Sequence, residues 1–173
     1  MLIGILSDTH RNSSLHQEVL DLLVSESVER IYHLGDDYPD GELEISYGIE
    51  ILRVPGLYCP EYQDRHVENV VFDSVHGVNI VMAHDIKDIH GKDIVCNDII
   101  LSGHTHKSEL RIENGKLYMN PGHLKGPKDK GRNPSYGLLE IDFGTIQASI
   151  IETGGSKIAS LSLRKDETGL FKV

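Results

Sequence analysis

Four short apolar runs in this chain each lead into an aspartate or a histidine. Asp8 and His10 follow Leu2–Leu6, Gly35-Asp36-Asp37 follows Ile31–Leu34, His84 follows Val78–Ala83, and His104 and His106 follow Asp98–Ser102. Runs that are apolar nearly throughout suit strands covered on both faces. In parallel α/β units the strands stop and the loops diverge at the carboxyl edge, which leaves a crevice there. The pattern therefore restricts the fold to sheets whose chemistry collects along one edge. In extended backbone, residues two apart point the same way, so Asp8 is expected to pair with His10 and His104 with His106.

The order of elements agrees. After the first run, Leu15, Val19, Leu22 and Leu23 recur at helical spacing, and Ser14 with Gln17 reads as a capping box that opens the helix. Ile31–Leu34 then completes a strand, helix, strand unit of parallel type, and Ile49–Val54 reads as a third strand. Strands dominate the remainder. Val70–Val75 and Val78–Ala83 flank a His76-Gly77 turn, and Leu110–Glu113 pairs with Lys116–Met119 across Asn114-Gly115, the strongest hairpin signal present. Gly137–Ile141, Thr145–Ile151 and Lys157–Leu163 follow. About ten short strands and few helices point to two packed sheets with helices outside, in a single domain over residues 1–173. The one linker-like stretch, Leu124–Asn133, sits between segments that both read as folded.

Composition removes several function classes. A content of 39% hydrophobic and 25% charged residues excludes both a disordered tail and a membrane protein. Met1 leads straight into the first run with no basic flank and no small-residue cleavage site, so a cytoplasmic location is expected. Cys59 and Cys96 are too few for a disulfide framework and lack the spacing of a zinc site. A net charge of −10 disfavours nucleic acid as a partner unless a local cationic centre attracts it.

Carboxylates mixed with imidazoles suit manganese, iron or zinc, and the absence of cysteine from the set argues against a structural zinc knot. Two carboxylates and four imidazoles exceed what one tetrahedral ion needs, whereas two ions roughly 3.5–4 Å apart that share a carboxylate employ them all. Taken singly, Asp8 reads as a helix cap and Asp36 as a turn former. Their shared order and strand-end placement favour ligation.

Ser7-Asp8-Thr9-His10, Gly35-Asp36-Asp37, His84 and Gly103-His104-Thr105-His106, in that order, resemble the motif series of the calcineurin-like metallophosphoesterase superfamily. The length and Asn120-Pro121-Gly122 are similar to its small single-domain YfcE-like phosphodiesterase branch, and the likeness runs from Met1 to about Asp142. The resemblance implies a four-layer α/β sandwich, two packed mixed β-sheets flanked by α-helices, with ions at the strand ends. One ion would take Asp8, His10, Asp36 and His106, and the other Asp36, His84 and His104. Asp36 would bridge them, with a hydroxide held between the ions as nucleophile. Asp36 and His84 thereby belong to the reaction centre. Two divalent ions are implied, manganese first, with iron, zinc or nickel as alternatives. The implied activity is hydrolysis of a small phosphate ester, diester or monoester.

The chain departs from that pattern in places. The family's Gly-Asn reads Gly56-Leu57-Tyr58-Cys59-Pro60-Glu61, so the second ion keeps three protein ligands unless Tyr58, Cys59, Glu61 or water fills the gap. No histidine stands at the leaving-group position, and His84-Asp85 replaces the usual His-Gly. Nineteen residues separate His84 from His104, too few for the helix expected there, which implies a wider or differently covered mouth. His123 is a candidate proton donor or substrate contact. Arg11 and Asn12 are candidate phosphate contacts, and Lys125, Lys128, Lys130 and Arg132 form a loop that either holds phosphate or is simply solvated. Tyr58 reads as a packing residue, and His16, His33, His66, His76 and His90 as surface, turn or satisfied core residues. The fold is also similar to the retromer subunit that uses it for protein binding, so the alternative is a non-catalytic or weakly active scaffold. A homo-oligomer is compatible with either reading.

Overall fold

The elements of the first half, in chain order, are β1 (Leu2–Leu6), α1 (Ser13–Ser25), β2 (Arg30–His33), α2 (Gly41–Ser46), β3 (Glu50–Arg53), β4 (Val70–Val75) and β5 (Val78–Ala83). They continue with α3 (Gly91–Cys96), β6 (Ile99–Ser102), β7 (Glu109–Glu113), β8 (Lys116–Asn120), β9 (Ser135–Asp142), β10 (Thr145–Glu152), β11 (Lys157–Asp166) and β12 (Gly169–Lys172). The structure is a computed structural model that describes residues 1–173.

A seven-stranded sheet runs β12-β11-β10-β9-β1-β2-β3 and a five-stranded sheet β4-β5-β6-β8-β7. Each has a parallel trio, β1-β2-β3 in one and β5-β6-β8 in the other, extended by antiparallel strands. Side chains alternate across each strand. On β1, Ile3 and Ile5 enter the core between the sheets, where they meet Ile80 and Met82 of β5 and Ile99 and Leu101 of β6. Leu6 faces outward onto Val19, Leu20 and Leu23 of α1, and on the opposite outer surface Val81, Ala83 and Ile100 are covered by Ile89 and Ile94. Both faces of the central strands are thus buried, which is why their sequences do not alternate with polar residues. The result is the expected mixed α/β sandwich of two mixed sheets with few helices. Full burial of one such Leu, Ile or Met side chain stabilises by about 1.5–3 kcal/mol. No helix is long and apolar enough to cross a membrane.

Both tight hairpins form. His76 and Gly77 have φ of 47° and 80°, and Asn114 and Gly115 have φ of 50° and 72°, the paired left-handed conformations that match the twist of the flanking strands. Some local expectations need correction. Helix α1 begins one residue before Ser14, and its cap is Asn12, whose side chain accepts from the Leu15 N–H at 3.4 Å. Ser14 lies inside the first turn, where its own backbone is helical and the capping geometry is closed to it. The segment between His84 and His104 does hold a helix, α3, only six residues long and preceded by a single 3₁₀ turn at Ile86–Asp88. The final strand, β12, was not expected from the sequence pattern; it pairs antiparallel with β11 through Leu163 to Asp166.

Candidate metal centre

The carboxyl ends of β1, β2, β5 and β6 open onto one edge, and the loops there are tied together by backbone. The Asp8 N–H donates to the Gly35 carbonyl at 2.7 Å, and the Gly103 N–H to that of His84 at 2.9 Å. The paired residues do converge, but not through extended backbone. Asp8, His10, Arg11, His104 and His106 have φ of 54°, 49°, 59°, 66° and 59°. Left-handed backbone at a side-chain-bearing residue costs about 1–3 kcal/mol and persists where the surroundings over-determine it. Two glycines permit the close approach. A Cβ on Gly56 would overlap the backbone of Asp36, and one on Gly103 would overlap the Ser7 hydroxyl and crowd Asp8 Oδ2.

The donors meet tightly. His106 Nε2 lies 3.2 Å from Asp8 Oδ1 and 3.1 Å from His10 Nε2, and His10 Nδ1 lies 2.7 Å from Asp36 Oδ2. His84 Nε2 stands 4.0 Å from both Asp8 Oδ1 and Asp36 Oδ1. His104 meets His84 edge-on with ring centroids 5.2 Å apart. Asp8, His10, Asp36, His104 and His106 line a cleft of about 640 Å³, with His84 buried beneath.

Ring tautomers follow from neighbours that can only accept. The Leu34 carbonyl sits 2.6 Å from His84 Nδ1, so that nitrogen carries the hydrogen and Nε2 presents a lone pair inward. Asp129 Oδ2 sits 2.8 Å from His106 Nδ1 and orients that ring likewise. Burial works to raise the Asp8 carboxyl, yet the close His106 ring, the charge of His84 and the hydrogen bond from Ser7 hold it below the usual carboxylate range. The His106 imidazole is raised by the Asp8 carboxylate 3.2 Å away, against its burial, with Asp129 adding to the rise.

At the mouth, Arg11 Nε donates to Asp37 Oδ1 at 3.0 Å, and both residues line the cleft together with Lys130. Tyr58 is no packing residue. It is 88% exposed and forms part of the rim. Cys59 turns its thiol to the Asp36 carbonyl, and Glu61 lines the cleft with a buried, unpartnered Oε2.

Two expected contacts fall elsewhere. Asn12 spends its carboxamide on the helix cap and on the Leu124 and Lys125 carbonyls, at 3.2 Å each, and borders a different groove beside Leu15 and Pro127. His123 is 0% exposed and lies outside the cleft lining, its ring 5.7 Å from that of His106. Burial pushes its imidazole below the ordinary value, and its Nε2 is 3.3 Å from the Arg132 carbonyl. It packs behind His106. Conversely, the sequence reading passed over Asp37, grouped with His10 and Asp36, and Asp129. The linker-like Leu124–Asn133 folds back, with the Leu124 N–H donating to the Asp8 carbonyl and an isolated Asp129–Arg132 bridge bringing the carboxylate to His106.

The donor set fits divalent cations. Asp8 Oδ1 is buried and makes no well-aligned hydrogen bond, and one donor atom each of Asp8, His10 and His106 lies within 4.8 Å of the others, an arrangement that suits a shared cation.

Comparisons with known proteins bear on the family and the fold. A probable metallophosphoesterase of Methanothermobacter thermautotrophicus is 31% identical over 177 residues, covering 95% of this chain and all of the relative. Among solved structures, Vps29 of Entamoeba histolytica complexed with zinc superposes with a TM-score of 0.74 at 22% identity, covering 94% of this chain and 99% of that one. The YfcE phosphoesterase of E. coli superposes with a TM-score of 0.69 at 20% identity, with 94% and 99% covered. These two likenesses establish the shared fold. The family model for the calcineurin-like phosphoesterase superfamily domain matches residues 1–144, and with a full-length relative of this identity the chain belongs to that superfamily.

Proposed function

We propose that this protein is a metal-dependent phosphoesterase that hydrolyses a small phosphate ester in the cleft above Asp36. The observation that carries the reading is the buried, unpartnered Asp8 Oδ1, set 3.2 Å from His106 Nε2 and 4.0 Å from His84 Nε2. In this reading Asp8, His10, Asp36 and His106 would hold one ion and Asp36, His84 and His104 would hold a second, with Asp36 shared. Manganese suits the mixed set first, with iron, zinc or nickel as alternatives. When bound, such ions polarise phosphoryl oxygens and make a nucleophile available at neutral pH. The chain's own part is to hold these donors fixed: the Leu34 carbonyl and Asp129 set the His84 and His106 tautomers, and Ser7 and the His104 N–H hold Asp8 Oδ2 at 2.7 and 3.0 Å. Arg11 and Lys130 flank the opening and bind the ester's anionic oxygens, which offsets the overall charge of −10 locally. The free Cys59 and Cys96 suit a reducing, cytoplasmic setting.

One observation favours a second reading, a weakly active scaffold: Leu57 stands where the family carries an asparagine, and Cys59 is turned away onto the Asp36 carbonyl. Metal counting and manganese-dependent release of nitrophenol from bis(p-nitrophenyl) phosphate separate the two. Two bound ions with turnover that Asp36→Asn abolishes support the enzyme. Turnover retained in a folded Asp36→Asn protein overturns it, and one ion or none without turnover favours the scaffold.

A further inference from the structure

Outside the cleft, on the outer face of β2, His16 of α1, His33 of β2 and Glu44 of α2 meet in the interior, 1%, 1% and 0% exposed. Glu44 Oε1 lies 2.9 Å from His16 Nε2 and 2.8 Å from His33 Nδ1, and one donor atom from each residue falls within 4.8 Å of the others. The rings stand nearly perpendicular, at 85°.

Viewed as a hydrogen-bond network this cluster is incomplete. Glu44 Oε2 and both nitrogens of His33 are buried without a hydrogen-bond partner, because the short His33 Nδ1 contact is not aligned for an N–H donor. Networks made for their own sake pair such atoms, and the exceptions call for a missing group. Only His16 Nε2 makes a hydrogen bond to the carboxylate, and the 2.8 Å contact of His33 Nδ1 with the same oxygen adds no second one. An anionic carboxylate and two imidazoles in a closed space have the chemistry of a borderline metal, and they lack the six or more oxygens that calcium or magnesium demand. Their 2.8 and 2.9 Å separations fall within the 2.7–3.2 Å range of the donors in the cleft.

We propose that His16, His33 and Glu44 form a closed structural zinc site, with the second carboxylate oxygen of Glu44 as the fourth donor. It would pin α1, β2 and α2 together at the root of the segment that carries Asp36 and Asp37. Neither the cleft nor the hydrolytic reading enters into it.

Because the site is closed, the ion must enter during folding, so the protein is refolded from urea with excess zinc and then passed over a chelating resin. Zinc-edge anomalous diffraction of the wild type is expected to show a peak between the three side chains. An Asp36→Asn/His106→Gln protein, disabled in the cleft, is expected to keep one chelator-resistant zinc, and cobalt refolded in its place to give the intense visible band of a closed four-coordinate site. Adding Glu44→Gln is expected to remove both. A wild-type map with water or nothing between these residues overturns the proposal, as does loss of all resistant zinc from the folded cleft variant. Should the triple variant fail to fold, the wild-type map alone decides.

Discussion

Asp129 tests the metal centre from outside its ligand set. Its Oδ2 lies 2.8 Å from His106 Nδ1, while Lys125 Nζ lies 3.6 Å from Oδ1. The contact holds the His106 ring so that Nε2 faces Asp8 and His10, and the hydrogen bond from His106 keeps the Asp129 carboxyl below its usual range. Carboxylates placed this way behind a ligating histidine typically contribute about 10–100-fold to metal affinity. The side chain is 15% exposed and shares its charge with Lys125, so water and the lysine screen part of the effect. Asp129→Asn, which can still accept from Nδ1, is expected near the tenfold end, about 10-fold, and Asp129→Ala, which frees the ring, toward about 100-fold. Competition of manganese between the protein and a chromophoric chelator measures this directly, with circular dichroism to confirm the fold. Turnover at limiting metal should fall in step and recover as metal is raised. Wild-type affinity in a folded Asp129→Ala protein, with turnover undiminished at limiting metal, would refute the role.

Other expectations follow from packing and burial. Gly103→Ala places a methyl against the Ser7 hydroxyl and Asp8 Oδ2, so urea denaturation should show a loss of about 1–3 kcal/mol, with weakened metal binding by titration. Leu101→Ala removes a fully buried side chain from the core between the sheets and should cost about 2–5 kcal/mol with the site chemistry otherwise intact. In metal-free protein, Glu44→Gln leaves the buried His33 without its counter-charge and should cost roughly 3–5 kcal/mol, read as the difference in denaturation midpoint from wild type. That difference has a pH window. Glu44 is held at about 2 against an ordinary 4.5, so its contribution is full above 4.5 and fades as pH falls toward 2. Burial works to lower His33, but the charge of Glu44 raises it above its ordinary 6.5, so its share is full below 6.5 and is lost as pH climbs through the raised value. A difference that stays flat from pH 2 to 9 would remove the ion pair.

The strands and both hairpins were legible because their causes are local. Two-sided burial makes Leu2–Leu6 and Val78–Ala83 apolar throughout, and the left-handed turns call for residues such as Asn114 and Gly115. Where a better partner lay beyond the local window, pattern reading missed. Asn12 took the cap from Ser14, and its carboxamide is also tied to the Leu124 carbonyl. His123 stood next to the right motif but inside the wall and not at its surface. Tyr58 carries a large ring that ordinarily packs, yet the loop after β3 leaves it at the rim.

Residue types and strand ends, then, specified which side chains gather at this edge, since an apolar run that ends at an acid or a histidine is written into consecutive positions. How they gather was a tertiary outcome. The left-handed backbone at Asp8, His10, His104 and His106, the return of Asp129 to His106 from 23 residues away, and the joining of Glu44 to His16 across 28 all depend on where loops turn back. Such contacts are settled by the direction the backbone takes once both sheets have packed, and no stretch of neighbouring residues encodes that direction.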